Sequence, residues 1–539
     1  MWRFTAVLTV FLTFPAIADV KALVWPNHKN IQAALLNDGT QSLQQRKSLI
    51  RLAKTSIYYK SYEFFGDATG QMLAAELIQR RVKDNLDIQI AVDAFPAWLE
   101  SNRLLIHNTR IMVQNLMAAG IRVLGATCGN KLQFRSELSL QSLPFINFRN
   151  HAKAMVIDHL QETTAHAIVG GMNTANSYFH IGSQKWSDAD ILLLGKVAQD
   201  IGQSFFVEWH FRALDDTSDT SCMNPYAVGS DAYLEFYYAN TTPYHNPSDT
   251  HNRRENLLAK LQLNSIDENL DTPPAPPIFH LGSAQFIESS PLEGQVNELN
   301  LIENKYVELI DNAQKEILIS NIYFIPSKRA IHALRAARAR GVNITIITNS
   351  PASNPQRSAV CLSQYSYAKL FRKIPPGKIG TEPGSIRIFE YDGSFQEDKE
   401  LKSLLRKELD AAEKDLIHEL YPHLKIHKRV GHALSTALQR QIQGSREVSS
   451  LLHAKYAVFD GQRSIVGSYN LDPRSRKFNK EYIIVFNSKD FAQELIQTLQ
   501  RDTQRSRELT ATEIESLHRP WNPISWVRLG LAFCFKRYL

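Results

Sequence analysis

An octapeptide that occurs twice is the feature that most constrains how this chain folds. HAKAMVID occupies residues 151–158 and HAKYAVFD occupies residues 453–460, with His, Lys and Asp at the same spacing in both. The flanking sequence repeats as well, because a pattern of helix, strand, helix and strand begins near residue 50 and again near residue 310. A repeat of about 200 residues is too long for a solenoid unit and is typical of a duplicated domain.

The repeated flanks predict an α/β fold. The first strand of each half is expected at 57–59 and 317–322, and the second at 88–92 and 344–348. Strands that alternate with helices are typical of parallel βαβ units with right-handed crossovers. Each octapeptide is predicted to form a later strand, which is followed by another strand and a helix.

Length and composition agree with two domains. The chain has 539 residues, of which 44% are hydrophobic and 21% charged, which is a normal globular composition. The Pro-rich run DTPPAPP separates the halves. The predicted divisions are a signal peptide over 1–18, an N-terminal lobe over 19–270, a linker over 271–285, a C-terminal lobe over 286–510 and a tail over 511–539.

The first residues are those of an export signal. A basic start, MWR, is followed by the apolar run FTAVLTVFLTF and by small residues at Ala16 and Ala18. This layout predicts a secretory signal peptide cleaved after Ala18, and hence a periplasmic or secreted protein, soluble or peripheral to a membrane. An uncleaved membrane anchor is the alternative, which the shortness of the apolar run disfavours.

No metal or cofactor is predicted. The four cysteines, Cys128, Cys222, Cys361 and Cys534, lack metal-ligand spacing, and the chain has no Walker loop and no Gly-rich dinucleotide turn. One or two disulfides or simple buried thiols are both consistent with these cysteines. The net charge of +7 suits an anionic partner, either phospholipid or nucleic acid.

The paired His and Lys residues predict phosphoryl chemistry. Residues two apart in a strand share a face, so His151 lies beside Lys153 and His453 beside Lys455. A pseudo-twofold axis could bring both pairs around one phosphate, whose charge the lysines would neutralise. One imidazole would attack phosphorus to form a phosphohistidine, and the other would protonate the leaving alkoxide.

In each half, the strand after the octapeptide ends in a turn that carries amide or hydroxyl groups for the predicted phosphate site. GGMN ends at Asn173, and GSYN contains Ser468 and ends at Asn470. These three residues are candidates for binding the phosphate oxygens.

Orienting carboxylates are expected for both imidazoles. WSDADILLLG offers Asp188 and Asp190, and FNKEYIIVF offers Asn479 and Glu481. Asp190 and Glu481 are preferred because each directly precedes an apolar strand.

The octapeptides also end in acidic residues. Asp158 and Asp460 belong to the motif and are therefore candidate site residues. Each lies seven residues after its His and points to the opposite face of a regular strand, which favours a structural anchor over an acid in the site.

Two H-x-K-x4-D motifs, each followed by G-[GS]-x-N, resemble the phospholipase D superfamily. IVGGMNTANSYF, WSDADILLLG, ITNSPASN and LHAKYAVFDGQRSIVGSYNLDPRSRKFNKE are similar to its bacterial cardiolipin-synthase-like branch, and the likeness covers roughly 45–500. The resemblance implies a bilobal, duplicated α/β fold. Two mixed β-sheet lobes are flanked by helices, with one active site at their interface.

The resemblance also implies roles for individual residues. His151 would be the nucleophile and His453 the general acid, and the carboxylate beside each His would come from the other half. Asp190 would therefore pair with His453, and Glu481 with His151. The phosphate-binding positions would be Lys153, Lys455, Asn173, Asn470 and Ser468.

The resemblance implies an enzyme that acts on anionic or zwitterionic phospholipid, as a phospholipase D or as a cardiolipin synthase. An exported, metal-independent nuclease is the alternative, although such nucleases usually carry one motif per chain. A non-catalytic binding protein is disfavoured because both motifs are intact. The internal duplication predicts a monomer, since one chain already supplies both halves of the site.

Two segments leave their roles open. Residues 396–449 are predicted to form a charged helical insertion, which is either a solvated excursion or a gate for the substrate. Residues 521–539 combine five aromatic and three basic residues without an acid, which fits either a membrane interface or a helix packed on the C-terminal lobe.

Overall fold

The structure, a computed structural model, covers the two lobes and their junction. It describes residues 25–93, 103–125, 149–182, 185–214, 276–289, 300–351, 353–354, 357–371, 384–391 and 450–516. The predicted signal peptide, the insertion at 396–449 and residues 517–539 lie outside these ranges. Among the described residues, the structure holds no helix with the length and apolarity that a bilayer crossing needs.

The N-terminal lobe alternates strands and helices in the predicted order. Its helices are α1 (Gly39–Leu52), α2 (Ala68–Asp84), α3 (Arg103–Ala118) and α4 (Lys196–Leu214). Its strands are β1 (Asn27–Leu36), β2 (Ser56–Ser61), β3 (Asp87–Val92), β4 (Arg122–Gly125), β5 (Arg149–Asn150), β6 (Ala154–Ile157), β7 (His166–Gly170) and β8 (Asp190–Leu194).

The C-terminal lobe repeats this order. Its helices are α5 (Leu301–Asn312), α6 (Lys328–Ala339), α7 (Arg357–Phe371), α8 (Pro473–Lys477), α9 (Lys489–Gln504) and α10 (Ala511–Ser516). Its strands are β9 (His280–Ser289), β10 (Glu316–Asn321), β11 (Asn343–Asn349), β12 (Ile386–Tyr391), β13 (Lys455–Phe459), β14 (Arg463–Gly467), β15 (Asn479–Asn487) and β16 (Ser506–Glu508). The four strands expected from the repeated flanks are confirmed as β2, β3, β10 and β11.

One mixed sheet runs through both lobes. Its strand order is β4-β3-β2-β6-β7-β8-β1-β9-β15-β14-β13-β10-β11-β12-β16. Up to β12 the order is symmetric about the antiparallel contact between β1 and β9, so a pseudo-twofold axis lies between these two strands. The expected α/β fold of two mixed-sheet lobes is confirmed, and the two sheets are joined edge to edge.

Helices cover both faces of this sheet. Leu43, Leu77 and Leu116 of α1, α2 and α3 are buried in the core of the N-terminal lobe. In the same way, α5 and α6 bury apolar residues in the core of the C-terminal lobe. Phe205 of α4 and Leu495 of α9 instead enter a core that both lobes share. Burial of apolar side chains from both halves in one core stabilises the contact between the two lobes.

The predicted linker is shorter than expected. Strand β9 begins at His280, inside the range 271–285, and pairs with β1 on one side and β15 on the other. Ala284 and Phe286 are buried on one face, so the alternation typical of a strand already begins in this segment.

The acidic residues that end the octapeptides lie outside the site. The carboxylate of Asp158 accepts hydrogen bonds from the backbone N–H groups of residues 54–56. That of Asp460 accepts from residues 314–316 in the other lobe. Both residues have positive φ, 49° and 54°, and end β6 and β13 on the side away from the His. Naming them as catalytic residues was therefore wrong, since their carboxylates anchor the entries to β2 and β10.

Candidate active site

His151 is held by the C-terminal lobe. The short strand β5 pairs in parallel with the start of β15, and the backbone N–H of His151 donates to Lys480 O at 3.0 Å. Nδ1 of His151 lies 3.0 Å from both carboxylate oxygens of Glu481. A hydrogen bond from Nδ1–H to this carboxylate leaves the lone pair of Nε2 free.

His453 is held in the same way by the N-terminal lobe. Its backbone N–H donates to Ser187 O at 2.7 Å, and its Nδ1 lies 2.6 Å from Oδ2 of Asp188. The two imidazoles thus exchange partners across the lobes, as the resemblance implies. The carboxylate beside His453, however, is not the expected one.

Asp190 has a structural place instead. Its Oδ2 accepts from Ser42 Oγ and from the guanidinium of Arg46, each at 2.9 Å, and its Oδ1 accepts from Met172 N at 3.2 Å. The pairing of Asp190 with His453 was therefore wrong, because this carboxylate neutralises a buried arginine.

The register of the sheet explains the error. Gly170 of β7 pairs with Asp190, and Gly467 of β14 pairs with Ile483. The counterpart of Asp190 is thus an isoleucine, and the counterpart of Glu481, two residues earlier, is Asp188. The segment between the turn asparagine and this carboxylate is four residues longer in the N-terminal lobe, so the correspondence is visible only in the strand register.

The two orienting carboxylates differ in their support. Glu481 accepts hydrogen bonds from Ser468 Oγ at 2.6 Å, Ser475 Oγ at 2.7 Å and Asn479 Nδ2 at 3.0 Å. Burial alone would raise its pKa, but the contact with His151 and these donors bring the pKa below its usual value. Asp188 accepts from the backbone N–H of Ala189 at 2.8 Å. Burial raises its pKa to about 6.

Ser468 supports Glu481 and does not face the phosphate. Besides donating to Glu481, its hydroxyl accepts from Tyr482 N at 3.0 Å, so the predicted phosphate contact was wrong. Gly171 takes the corresponding place in the N-terminal lobe. A Cβ there would lie 2.2 Å from Oδ1 of Asp188, so any side chain would displace that carboxylate.

The two motif lysines are buried beside the imidazoles, each only 2% exposed. Nζ of Lys153 donates to His151 O at 2.6 Å. Nζ of Lys455 contacts the carbonyl of His453 and lies 2.7 Å from its Nδ1. Burial lowers the pKa of both lysines, to about 7 for Lys153. An anion that entered between them would raise these pKa values again.

The surroundings of both imidazoles favour the neutral form. Burial lowers the pKa of His151 to about 4 against the opposing effect of Glu481. Burial, together with the charges of Lys455 and Lys153, holds the pKa of His453 well below its usual value. A neutral imidazole with a free lone pair is the form that a nucleophile requires, whereas a general acid must gain a proton when an anionic substrate enters.

The two predicted asparagines are used differently. Asn173 donates through Nδ2 to Tyr178 Oη at 2.8 Å and to Glu63 Oε2 at 3.2 Å, and its Oδ1 accepts from Glu63 N at 3.2 Å. Oδ1 of Asn470 is buried without a hydrogen-bond partner in the described part of the chain. Of the two amides, that of Asn470 is the less constrained.

Sequence reasoning missed the aromatic residues around the imidazoles. The ring of Tyr62 meets His151 edge-on at 4.9 Å. Tyr178 meets His453 edge-on at 4.9 Å, and Trp186 stacks on it at 5.6 Å. These rings pack against the imidazoles, and nothing in the two motifs marks them. No group of three His, Cys, Asp or Glu residues suited to a metal occurs among the described residues.

Sulfate binding is expected to weaken as the pH rises above 7. Lys153 loses its proton through this range because burial lowers its pKa to about 7, whereas a bound anion favours the protonated lysine. The Kd for sulfate should therefore rise by up to about tenfold per pH unit above 7. Isothermal titration calorimetry between pH 6 and pH 9 measures this slope.

The matched control is Lys153→Arg. Its guanidinium stays protonated over the whole range, so the slope should flatten. A pH-independent Kd for the unsubstituted protein, or an equally steep slope for the arginine variant, would contradict the assignment.

Comparisons with known proteins extend the resemblance that the two octapeptides carry. Residues 306–503 match the family model for "Cardiolipin synthase, PLD-like domain", so this segment is similar to that domain. The resemblance drawn from the two octapeptides is confirmed.

Two curated relatives extend the likeness over both lobes. Cardiolipin synthase C of Escherichia coli (strain K12) is 23% identical over 463 residues, which cover 85% of this chain and 82% of the relative. The major cardiolipin synthase ClsA of Bacillus subtilis (strain 168) is 22% identical over 497 residues, which cover 92% of this chain and 72% of the relative.

A solved structure shares the fold. Phosphatidylserine synthase of Haemophilus influenzae Rd KW20 superposes with a TM-score of 0.54 and 14% identity, covering 96% of this chain and 97% of that one.

Proposed function

We propose that this protein is a phosphatidyltransferase that acts on phospholipids through a phosphohistidine, in a reaction of the phospholipase D or cardiolipin synthase type. The observation that carries the proposal is the crossed arrangement of the site. Each imidazole is hydrogen-bonded to a carboxylate of the other lobe, and two buried lysines lie beside them. Such a site can bind one phosphodiester, replace its head-group oxygen by an imidazole nitrogen, and then replace that nitrogen by the oxygen of an acceptor.

The first half-reaction breaks the phosphodiester. Nε2 of His151 attacks phosphorus, the N–P bond forms, and the bond from phosphorus to the head-group oxygen breaks. His453 gives its Nε2 proton to the leaving alkoxide. The charge of the phosphoryl oxygens is neutralised by the ammonium groups of Lys153 and Lys455.

The second half-reaction transfers the phosphatidyl group. The acceptor, either water or an alcohol, loses its proton to Nε2 of His453 as its oxygen bonds to phosphorus, and the N–P bond to His151 breaks. The general acid is thereby restored, and both imidazoles return to their starting forms.

The unequal carboxylates support His151 as the nucleophile. Glu481 is stabilised as an anion by three donors, and an anion beside the ring stabilises the cationic phosphohistidine. Asp188, whose pKa is raised to about 6, holds a proton on His453 less firmly. A less firmly held proton suits a general acid.

The proposal includes an anionic or zwitterionic phospholipid as the partner at a membrane surface. It also includes a monomeric state and export to the periplasm or medium. Residues 1–18 support export, and the presence of both catalytic halves in one chain supports a monomer. The names of the curated relatives support an alcohol acceptor over water.

The proposal is tested with purified protein that lacks residues 1–18. The protein is incubated with phosphatidylglycerol vesicles, EDTA and a little ethanol, and the lipids are read by mass spectrometry. We expect phosphatidylethanol, cardiolipin or phosphatidic acid, and their proportions identify the acceptor. All of these products should vanish in His151→Ala. Intact lipid across several head groups would overturn the proposal, and cleavage of single-stranded DNA instead would establish the nuclease alternative.

A further inference from the structure

The two halves of the site differ at one position, which is charged in the N-terminal lobe and uncharged in the C-terminal lobe. Glu63 follows β2, and Tyr323 follows β10 at the corresponding place. The correspondence is fixed by the next residues, since Phe64 bridges to Thr174 and Phe324 bridges to Leu471, each directly after the turn asparagine. The N-terminal lobe therefore adds a carboxylate that the C-terminal lobe lacks.

The same asymmetry continues at Tyr178. Five residues after Asn173, its hydroxyl donates to Oε2 of Glu63 at 3.1 Å and lies 3.4 Å from Nε2 of His453. Its counterpart five residues after Asn470 is Ser475, which donates to Glu481. A single hydroxyl thus joins Glu63 to the nitrogen that exchanges protons with the leaving group and with the acceptor.

Glu63 is held rigidly and leaves one oxygen open. Its backbone N–H donates to Asn173 Oδ1 at 3.2 Å, and its carbonyl accepts from Thr174 N at 3.0 Å. Oε2 takes the hydrogen bonds from Asn173 and Tyr178. Within the described residues, no donor is directed at Oε1. A fixed acceptor with an open position beside His453 is a feature of a recognition site.

The chemistry around Glu63 favours a hydroxyl as its ligand. A carboxylate can accept from an alcohol or from an ammonium group. Burial raises the pKa of Glu63, whereas the charges of Lys153 and Lys455 act to lower it, so both lysines lie close to this carboxylate. Two buried cations oppose the entry of a third. A neutral donor avoids this repulsion.

We propose that Oε1 of Glu63 accepts a hydrogen bond from a second hydroxyl of a polyol acceptor while its first hydroxyl reacts at His453, so that Glu63 selects polyols over simple alcohols and water. This inference rests on the proposed function. The reacting hydroxyl loses its proton to Nε2 of His453, its oxygen bonds to phosphorus, and the bond from phosphorus to His151 breaks. Glu63 orients the acceptor and exchanges no proton.

Two acceptors that differ by one hydroxyl test the inference. Phosphatidylglycerol vesicles are offered propane-1,2-diol and propan-1-ol at equal concentration, and the two phosphatidyl alcohols are counted by mass spectrometry. The unsubstituted protein should prefer the diol. Glu63→Ala should lower the ratio of diol product to propanol product by about tenfold, which corresponds to the loss of a hydrogen bond to a charged group. Glu63→Gln keeps a neutral acceptor oxygen and should lower the ratio less.

The ratio makes the outcomes distinguishable. Both products form in one tube, so the ratio does not depend on how much of a variant is folded. An unchanged ratio in both variants would overturn the inference and leave the proposed function standing. With the unsubstituted protein, intact lipid would overturn both, whereas phosphatidic acid as the only product would overturn the inference and leave the proposed function standing.

A matched position supplies the control. Tyr323→Phe alters the residue that the pseudo-twofold axis relates to Glu63, and its ratio should equal that of the unsubstituted protein. An equal drop in this variant would overturn the role of Glu63. A stronger preference for 2-aminoethanol than for the diol would also overturn it, because the ligand would then be an ammonium group.

Discussion

Asp188→Asn is expected to lower the rate of phosphatidyl transfer by roughly 10³–10⁴-fold. Oδ2 of Asp188 lies 2.6 Å from Nδ1 of His453 and fixes the proton on that nitrogen. An asparagine can turn its NH₂ group to the ring, which then places the proton on Nε2 and leaves no lone pair to receive the proton of the acceptor. Initial rates with phosphatidylglycerol vesicles and ethanol measure the effect.

Asp190→Asn is the matched control for this prediction. It leaves Arg46 buried without its anion, which should lower the free energy of unfolding by about 3–5 kcal/mol. Transfer per folded molecule should stay within a few-fold of the unsubstituted protein. The reverse result, with Asp190→Asn inactive and Asp188→Asn active, would contradict the pairing seen in the structure.

Gly171→Ala tests the same contact by steric means. Its Cβ would lie 2.2 Å from Oδ1 of Asp188. It should therefore lower the transfer rate in the same direction as Asp188→Asn, while every charge in the site is kept.

His453→Asn is expected to stop turnover after one phosphatidyl group has been transferred to the protein. With a p-nitrophenyl phosphatidyl ester, the leaving group needs no proton, so His151 can still form its N–P bond. No imidazole then deprotonates the acceptor, and steady-state turnover should fall by about 10⁴-fold or more. Rapid-mixing absorbance should show a burst of p-nitrophenol close to one equivalent.

The corresponding variant in the other lobe gives the control. His151→Asn should show no burst, and alkaline peptide mapping of His453→Asn should locate the phosphoryl group on His151. A burst in His151→Asn with label on His453 would reverse the assignment of nucleophile and acid.

Much of the fold could be predicted because the same pattern of helices and strands occurs in both halves of the sequence. The strands near residues 57 and 317 were readable from their apolar, β-branched runs, and the repeat fixed their order. The edge-to-edge contact of β1 with β9 was not readable, since β9 begins next to prolines in a segment that resembles a linker. Pairing of two edge strands depends on where the lobes meet, which local pattern does not encode.

The site was predictable where the halves agree. His151, His453 and their lysines stand in identical contexts, so the motif located them. The choice of Asp190 over Asp188 failed because an apolar run shows that a strand is present without showing which residue faces the partner lobe. Glu63 and Tyr178 escaped attention for a different reason. A search for repeats finds what the halves share, and these residues occur in one half.

The contacts of His151 and His453 with carboxylates of the opposite lobe have a consequence for the synthesis and folding of the chain. During synthesis the N-terminal lobe emerges with an imidazole that has no anion beside it and an aspartate that has no imidazole. The crossed contacts are complete only when the last long strand of the sheet, β15, has been added against β9 and brings Glu481 to His151. A product truncated before Glu481 would lack the carboxylate beside His151, so on the proposed mechanism we expect it to be inactive.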